Sequence, residues 1–462
     1  MRVVKRKAGR KGKAIVDRPL INSNAAGADI GAREIYVCVP PDRDPEPVRA
    51  FETFTEELCR MADWLKACGV TTVAMESTGV YWIPLYEILE TRGIEACLVD
   101  ARHMKNVPGR RTDWHECQWL QYLHSVGLLR SAFRPPSEVC AVRALMRHRG
   151  ELVQMASQHV QHMHKALTQM NLQIHHVISD LTGVTGMAIV DAIVSGERKA
   201  DELVKLRDYR VAADVETLRK SLVGNWRSEH LFTLKQSRQL YQSYQDQIVA
   251  CDEEIERLTG TFSSRVDPDE KPLPPNTKHN KSGRRQKGKG MNPASSFDMR
   301  KEAYKLFGVD VMQIPGIANM ALTLFSEVGR DMSRWPTRHH FASWLALCPD
   351  NDISGGRVLW KGTRKLKNRA AQLFRMAANS LHFSTTALGQ YLRRLKSKLG
   401  APAGITATAH KIAMIFYTVI KNQTEYDDSI WAAREAERQK QHEAKIRRQA
   451  QKLGYTLVPL EA

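Results

Sequence analysis

The sequence predicts an α/β N-terminal domain followed by mostly helical domains, an α/β plus α chain. Three observations carry this prediction. Short β-type runs alternate with helical stretches between residues 25 and 136. Two long polar stretches, 137–174 and 228–258, space their apolar residues at helical intervals. A third stretch, 301–424, is mostly helical and broken once by a Gly-rich interruption at Ser354–Gly356. At 462 residues, two or three domains are expected.

Taken in order, 1–24 reads as a basic flexible arm. Ala28–Val39 then reads as a strand, Pro40–Pro47 as a Pro/Asp-rich turn and Val48–Phe54 as the hairpin partner. Glu56–Ala67 has the pattern of a helix, Thr71–Met75 of a strand, Val80–Thr91 of a helix and Ile94–Val99 of a strand. A basic loop leads to a helix over Asp113–Val126. This α/β domain is placed at 25–136. A helical, coiled-coil-like region covers 137–261, with Val142, Leu145, Leu152, Val153 and Met163 as its apolar positions. Its two long helices pair either within the chain or between subunits, and 179–226 has no clear pattern. Residues 262–300, rich in Pro, Gly, Ser, Asn and Lys, read as a basic disordered linker. The C-terminal domain is placed at 301–424, and a charged helix (Ile430–Leu453) and tail at 425–462.

The net charge is +19. Arg2, Lys5, Arg6, Lys7, Arg10, Lys11 and Lys13 crowd the first thirteen residues, and Lys278, Lys281, Arg284, Arg285, Lys287 and Lys289 a second short stretch, neither with an acid. Such runs are either solvated tails or polyphosphate-binding segments; the size of the excess favours nucleic acid. No run of about 18 apolar residues predicts a membrane span, and no apolar stretch follows the basic N-terminus as in a secretory signal. A cytoplasmic protein without a membrane partner is expected. Eight cysteines, none in a C-x-x-C pair, read as reduced and singly buried.

The chemistry-bearing residues of the first domain are acids. Asp29 lies at the start of the first strand, Glu76 at the end of the strand through Val73–Met75, and Asp113 and Glu116 are three apart at the head of a helix, on one face. Carboxylates converging at strand ends repel unless a cation neutralises them, and hard oxygen donors suit Mg²⁺ or Mn²⁺. Two such ions would stabilise both the attacking and the leaving oxygen of phosphodiester cleavage. Taken alone, Asp113-x-x-Glu116 reads as a capping box, with Asp113 as N-cap. Glu76 reads equally as a residue before a helix cap, and Asp29 as a surface strand residue.

Met75-Glu76-Ser77-Thr78-Gly79-Val80-Tyr81-Trp82, then Gly109-Arg110-Arg111-Thr112-Asp113, then Gln118-Trp119-Leu120 resemble the DEDD transposases, the insertion-sequence group called one-ten, with its eleven-eleven subgroup nearest. The resemblance implies a RuvC-like N-terminal domain of the RNase H fold. It implies that Asp29, Glu76 and Asp113 are its first three catalytic, metal-binding acids. Glu116 falls where the family has a fourth acid, usually Asp; one methylene more changes its reach to the metal.

A second resemblance to the same family covers Ile314-Pro315-Gly316-Ile317, Ser354-Gly355-Gly356, Gly362 to Arg369, and Ala409-His410-Lys411. It implies that Ser354 attacks the scissile phosphate and becomes covalently joined to DNA. Paired glycines let a DNA backbone approach, and Lys361, Arg364, Lys365 and Arg369 follow as phosphate-binding candidates, with Arg284 and Arg285 in the linker. Ser-Gly-Gly is also ordinary turn chemistry, and the cations also read as a solvated helix face. The Ile-Pro-Gly-Ile segment resembles a helix-hairpin-helix turn whose amides contact phosphate, though the family's next Gly is Ala318 here; a Pro-Gly turn before a core helix reads equally well.

Histidines 148, 159, 162, 164, 175 and 176 crowd the long helical region and read as polar helix surface, since no H-E-x-x-H spacing accompanies them. Tyr81 and Trp82 are expected to pack in the core. The leading functional expectation is site-directed DNA recombination: cut, phosphoserine, exchange and rejoin. The resemblance adds a structured guide RNA pairing with donor and target DNA. Holding two duplexes implies a homo-dimer or tetramer. The competing expectations are a metal-dependent nuclease resolving branched DNA without a covalent intermediate, and a non-catalytic nucleic-acid-binding protein.

Overall fold

A computed structural model describes residues 19–77, 79–99, 112–275, 297–364, 366 and 368–456. Most of the arm, the core of the 262–300 linker, and Lys365, Arg284 and Arg285 lie outside the described residues. The chain forms two compact units that meet in sequence between Arg134 and Pro135.

Among its described residues, the first unit has a five-stranded sheet of β1 (Ala25–Ile30), β2 (Glu34–Cys38), β3 (Val48–Glu52), β4 (Thr72–Glu76) and β5 (Glu95–Val99). The strand order is β3-β2-β1-β4-β5. β1, β2 and β3 pair antiparallel, while β1, β4 and β5 run parallel. The single strand predicted over Ala28–Val39 is therefore two strands. The chain turns at Gly31, whose amide donates to the Glu34 carbonyl at 3.0 Å, and the first strand begins earlier, at Ala25. β2 and β3 are joined through the Pro/Asp segment, where Asp44 accepts hydrogen bonds from the Glu46 amide at 2.8 Å and from Trp64 Nε1 at 2.9 Å.

Strand alternation sorts the side chains onto two faces. Ala26, Ala28, Ile35, Val37, Val73, Met75 and Leu98 pack on one face against Leu58, Met61 and Leu65 of α1 (Thr55–Ala67) and Leu85 and Leu89 of α2 (Trp82–Thr91). The 3- and 4-residue spacing in α1 puts its apolar residues on one stripe. Each of the buried Ile, Val, Leu and Met side chains among them contributes about 1.5–3 kcal/mol by leaving water. On the other face, Ala74, Cys97 and Val99 pack with Leu120 and Leu123 of α3 (Asp113–Ser125), and Cys38 and Val48 with Cys117.

In the second unit, α4 (Ser137–Gln169) and α8 (Ser228–Gly260) form an antiparallel pair within the chain. Arg149 is ion-paired to Asp252, both side chains buried. His159 stacks on Tyr244 with ring centroids 5.4 Å apart. The stretch with no clear sequence pattern, 179–226, folds as α5 (Val184–Val194), α6 (Ala200–Val204) and α7 (Val215–Ser221). Ile189, Ile193, Leu203 and Leu218 from these helices share a core with Met163 and Leu167 of α4 and Leu234 of α8.

The rest of this unit comprises α9 (Met299–Phe307), α10 (Ala321–Val328), α11 (Arg338–Trp344), a hairpin of β6 (Asp352–Ser354) and β7 (Arg357–Trp360), α12 (Arg369–Ser380), α13 (Ala387–Leu399), α14 (Ala401–Asn422) and α15 (Ser429–Lys452). α14 is the central helix. Its Phe416 is fully buried and lies 5.4 Å from Phe374 and 5.6 Å from Phe307, ring centroid to centroid. Although α14 is long and apolar enough to cross a membrane, 61% of its most apolar stretch is buried inside this unit. The α4 helix is clamped to α10: Arg143 donates to the Ser326 carbonyl at 2.9 Å, and Arg147 to both Glu327 carboxylate oxygens at 2.9 and 2.8 Å.

Candidate active site

The sheet register places the first two acids. Ala28 pairs with Met75 across the parallel β1–β4 ladder, so one residue further on Asp29, next to last in β1, lies beside Glu76, the last residue of β4. Asp29 shares a face with Gly27, and Glu76 with Ala74, because side chains alternate along each strand. Both of those preceding residues meet α3. A Cβ at Gly27 would lie 2.3 Å from the Gln121 amide nitrogen and 2.4 Å from the Cys117 carbonyl oxygen, so only glycine admits the helix this close. Ala74 packs with Leu120 and Leu123. The two carboxylates thus belong to the face that α3 covers.

Gln121 donates to the Ala25 carbonyl at 3.2 Å, whereas Gly27 meets Cys117 as well, so α3 runs antiparallel to β1. Its N-terminal turn, with Asp113 and Glu116, lies toward the Asp29 end of the strand. Electrostatics agree with this placement. The Cys117 thiol is pushed up to about 12 by burial first, then by Cys38 and by the charge of Asp29. The Tyr36 hydroxyl is raised first by donating to Glu34, at 3.2 Å, and by that carboxylate's charge, with a smaller contribution from Asp113. Tyr36 is the register partner of Asp29 in the β1–β2 hairpin. It is the member of this site that the sequence reading missed; had the turn at Gly31 been recognised, pairing Ile30 with Ile35 would have placed it there.

The capping-box alternative does not hold in its predicted form. Thr112, in extended conformation, is the N-cap of α3, which leaves Asp113 as the first helical residue and puts Glu116 one position beyond where a reciprocal cap needs it. Thr112 Oγ1 instead lies 2.5 Å from His115 Nδ1. Two acids in the first turn favour the helix dipole.

Aspartate and glutamate oxygens on one face have the donor chemistry of a hard divalent cation. As the side chains are placed, no three His, Cys, Asp or Glu residues among those described gather around one point. Residues 100–111, which connect β5 to this helix, lie outside the described residues. The acids suit such an ion by donor type, and Asp29 and Glu76 share the sheet face toward α3.

Ser354 ends β6 on a two-stranded hairpin. Ser354 pairs with Arg357, Ile353 with Val358 and Asp352 with Trp360, with a bulge between the last two pairs. Gly355 and Gly356 have φ of +55° and +77°. Positive φ at both central residues is the two-residue hairpin turn whose twist matches the strands, and glycine adopts it without a steric penalty. The turn reading and the exposed-serine reading are thus compatible: the turn holds Ser354 out at the tip. Every residue of β6 and β7 is exposed, including Ile353, Leu359 and Trp360.

Lys361, Arg364 and Arg369 are exposed beyond the hairpin. Arg364 donates to the Ser343 carbonyl, which anchors the segment to α11. Arg369 opens α12, capped by Asn368, whose side chain accepts from the Ala371 amide at 3.0 Å. The Ile314–Ile317 turn is an interior feature. Ile314 and Ile317 are fully buried, and a Cβ at Gly316 would lie 2.4 Å from the Ala377 carbonyl of α12. This is the Pro-Gly turn before a core helix. Ala318 takes a φ of +39°. Trp82 packs beside the α1–α2 core, 5.8 Å from Tyr86, whereas Tyr81, expected there too, is exposed. His159 and His162 meet edge to face at 5.5 Å.

Residues 26–172, from β1 through α4, match a transposase family of the DEDD, IS110 type. Residues 310–392, which hold the Ser354 hairpin, match the transposase IS116/IS110/IS902 family. No curated protein matches the chain.

Proposed function

Since the chain belongs to the IS110-family DEDD transposases, enzymes that cut and rejoin DNA, we propose that it does so through a phosphoserine intermediate on Ser354, assisted by the acids Asp29, Glu76, Asp113 and Glu116. The observation that carries this reading is the Ser354 hairpin: a hydroxyl held at an exposed tip, beside two glycines that leave a DNA backbone room to approach.

In the first step Ser354 Oγ attacks the phosphorus. A phosphoserine ester forms, the bond to one flanking sugar oxygen breaks, and the serine proton is balanced by the proton that sugar oxygen gains. In the second step a sugar hydroxyl of the exchanged strand attacks the phosphoserine and serine is regenerated. One phosphoester replaces another at each step, so no energy source is consumed. A hydroxyl is a weak nucleophile until its proton is drawn away or the phosphate charge is offset. The four acids would hold Mg²⁺ or Mn²⁺, which supplies charge neutralisation at the attacking and leaving oxygens when bound. Lys361, Arg364 and Arg369 offset phosphate charge from the protein side, as would Lys365, Arg284 and Arg285.

We read the first unit as RuvC-like, which the β3-β2-β1-β4-β5 order with helices on both faces supports. The same reading includes donor and target duplexes, a structured guide RNA from the element, a homo-dimer or tetramer holding the two duplexes, and action in the cytoplasm; the net charge of +19 supports the polyanionic partners. The test is strand cleavage of the element's own DNA with its transcribed flanking RNA and Mg²⁺. A covalent protein–DNA product lost in Ser354→Ala supports the reading. Cleavage without any covalent product points to water as the nucleophile and overturns it.

A further inference from the structure

α13 and α15 enclose a cleft of about 690 Å³, lined by Gln390, Arg393, Arg394, Ser397, Lys398, Arg438 and His442. Three arginines, a lysine and a histidine face it, and none of the seven lining residues is acidic. Like charges gathered around one concavity focus a positive potential on whatever enters. The sequence reading placed no ligand here, since α15 looks like a solvated charged helix when read alone.

The lining is partly fixed in advance. Arg393 donates to the His382 and Ser384 carbonyls at 3.1 and 2.7 Å, which ties the short 3₁₀ helix Leu381–Phe383 to α13. Arg394 lies over the Tyr391 ring at 5.3 Å. On its opposite side α13 buries Leu388 and Leu392, so the basic face is held outward by core packing. Gln390 and Ser397 add uncharged hydrogen-bonding groups suited to phosphate oxygens.

We infer that this cleft is a second nucleic-acid site, which grips the phosphodiester backbone of a duplex without reading its sequence. The inference rests on the DNA-acting reading above for its class of ligand. A duplex is favoured over a single strand because the described lining residues include no Phe, Tyr or Trp, and single-strand grooves hold bases on such rings. The guanidinium and ammonium groups supply point charges for phosphates, which fix position and carry no base information.

The test is the salt dependence of binding to a duplex of arbitrary sequence, run separately with DNA and with RNA, in the Ser354→Ala background. Working in that background separates this site from the chemistry: the salt slope is read without the proposed nucleophile, and a covalent product that persists in Ser354→Ala would count against the phosphoserine reading alone. Each phosphate contact contributes about 0.9 to the slope of log K against log salt. The triple variant Arg394→Gln, Lys398→Gln, Arg438→Gln should flatten that slope by about 2 to 3 and weaken binding about tenfold or more at low salt. Arg393 is left in place for its carbonyl contacts. The matched control is Lys205→Gln, Lys220→Gln, Arg257→Gln, three cations paired with Glu202, Glu216 and Glu254; it should leave the slope unchanged. Flattening with DNA alone or with RNA alone supports the site and names its duplex. An unchanged slope with both, equal flattening by the control, or an effect on single strands only overturns it.

Discussion

Asp29 and Glu76 lie side by side at the C-terminal ends of adjacent parallel strands, each one residue past the Ala28–Met75 pair, Asp29 next to last in β1 and Glu76 last in β4, on the sheet face that α3 covers. The placement is made by backbone register, so it tolerates neutral isosteres. Asp29→Asn and Glu76→Gln should each lower metal-dependent strand cleavage at least about 100-fold, the scale on which removal of one transition-state charge group is felt. Their thermal unfolding should stay within about 1 kcal/mol of the parent. Cleavage assays beside calorimetry check this, and a variant that keeps its cleavage activity, or loses it only by unfolding, would count against the acids as ligands.

Gly27 lets α3 lie on β1. The Cβ of Gly27→Ala would overlap the Gln121 nitrogen and the Cys117 carbonyl. Overpacking of this kind costs about 1–3 kcal/mol. Because the displaced helix carries Asp113 and Glu116, cleavage should fall along with stability. Denaturant titration and activity measured on the same sample test the link.

The Arg149–Asp252 pair sits between α4 and α8 with both side chains buried. Removing one partner strands a charge, so Asp252→Ala should destabilise the second unit by about 3–5 kcal/mol. The double variant Arg149→Met, Asp252→Leu should recover most of that loss, since a packed apolar pair replaces a buried ionic one with little net change. Urea unfolding of the three proteins distinguishes these outcomes.

Cys38 and Cys117 face each other across the sheet–α3 packing, and burial pushes their thiols up to about 11 and about 12. The folded state therefore keeps protons that the unfolded thiols release near pH 8.5–9. Stability from this source is complete below pH 9 and declines as pH rises toward 11–12. Both thiols should resist alkylation at pH 8 until the protein is unfolded, and Cys38→Ser, Cys117→Ala should flatten the alkaline decline in melting temperature.

Much of this was legible in the sequence. The helix over Asp113–Val126 and the two long helices follow from apolar spacing, which is a local property. The strand through Asp29 was misjudged because Gly31-Ala32-Arg33 lacks the usual Asn-Gly or Asp-Gly turn signal, and tertiary pairing decides where such a run folds back. The short helices between 184 and 221 were illegible since their apolar residues face a core shared with two distant helices. The basic cleft was hidden for a similar reason: Lys398 and Arg438 are 40 positions apart, and only the docking of α15 on α13 brings them to one cavity. Ser354 is a candidate through resemblance alone, and the hairpin geometry adds why this residue stands exposed.

The serine intermediate is tested on the peptide that carries it. The protein is trapped with the element's DNA, flanking RNA and Mg²⁺, digested with nuclease and protease, and the peptides are sequenced by mass spectrometry. A nucleotide esterified to Ser354 is expected, absent without Mg²⁺ and absent in Asp29→Asn. A nucleotide on any other residue, or an unmodified Ser354 peptide in a sample whose DNA is cut and held unjoined, would contradict the serine intermediate.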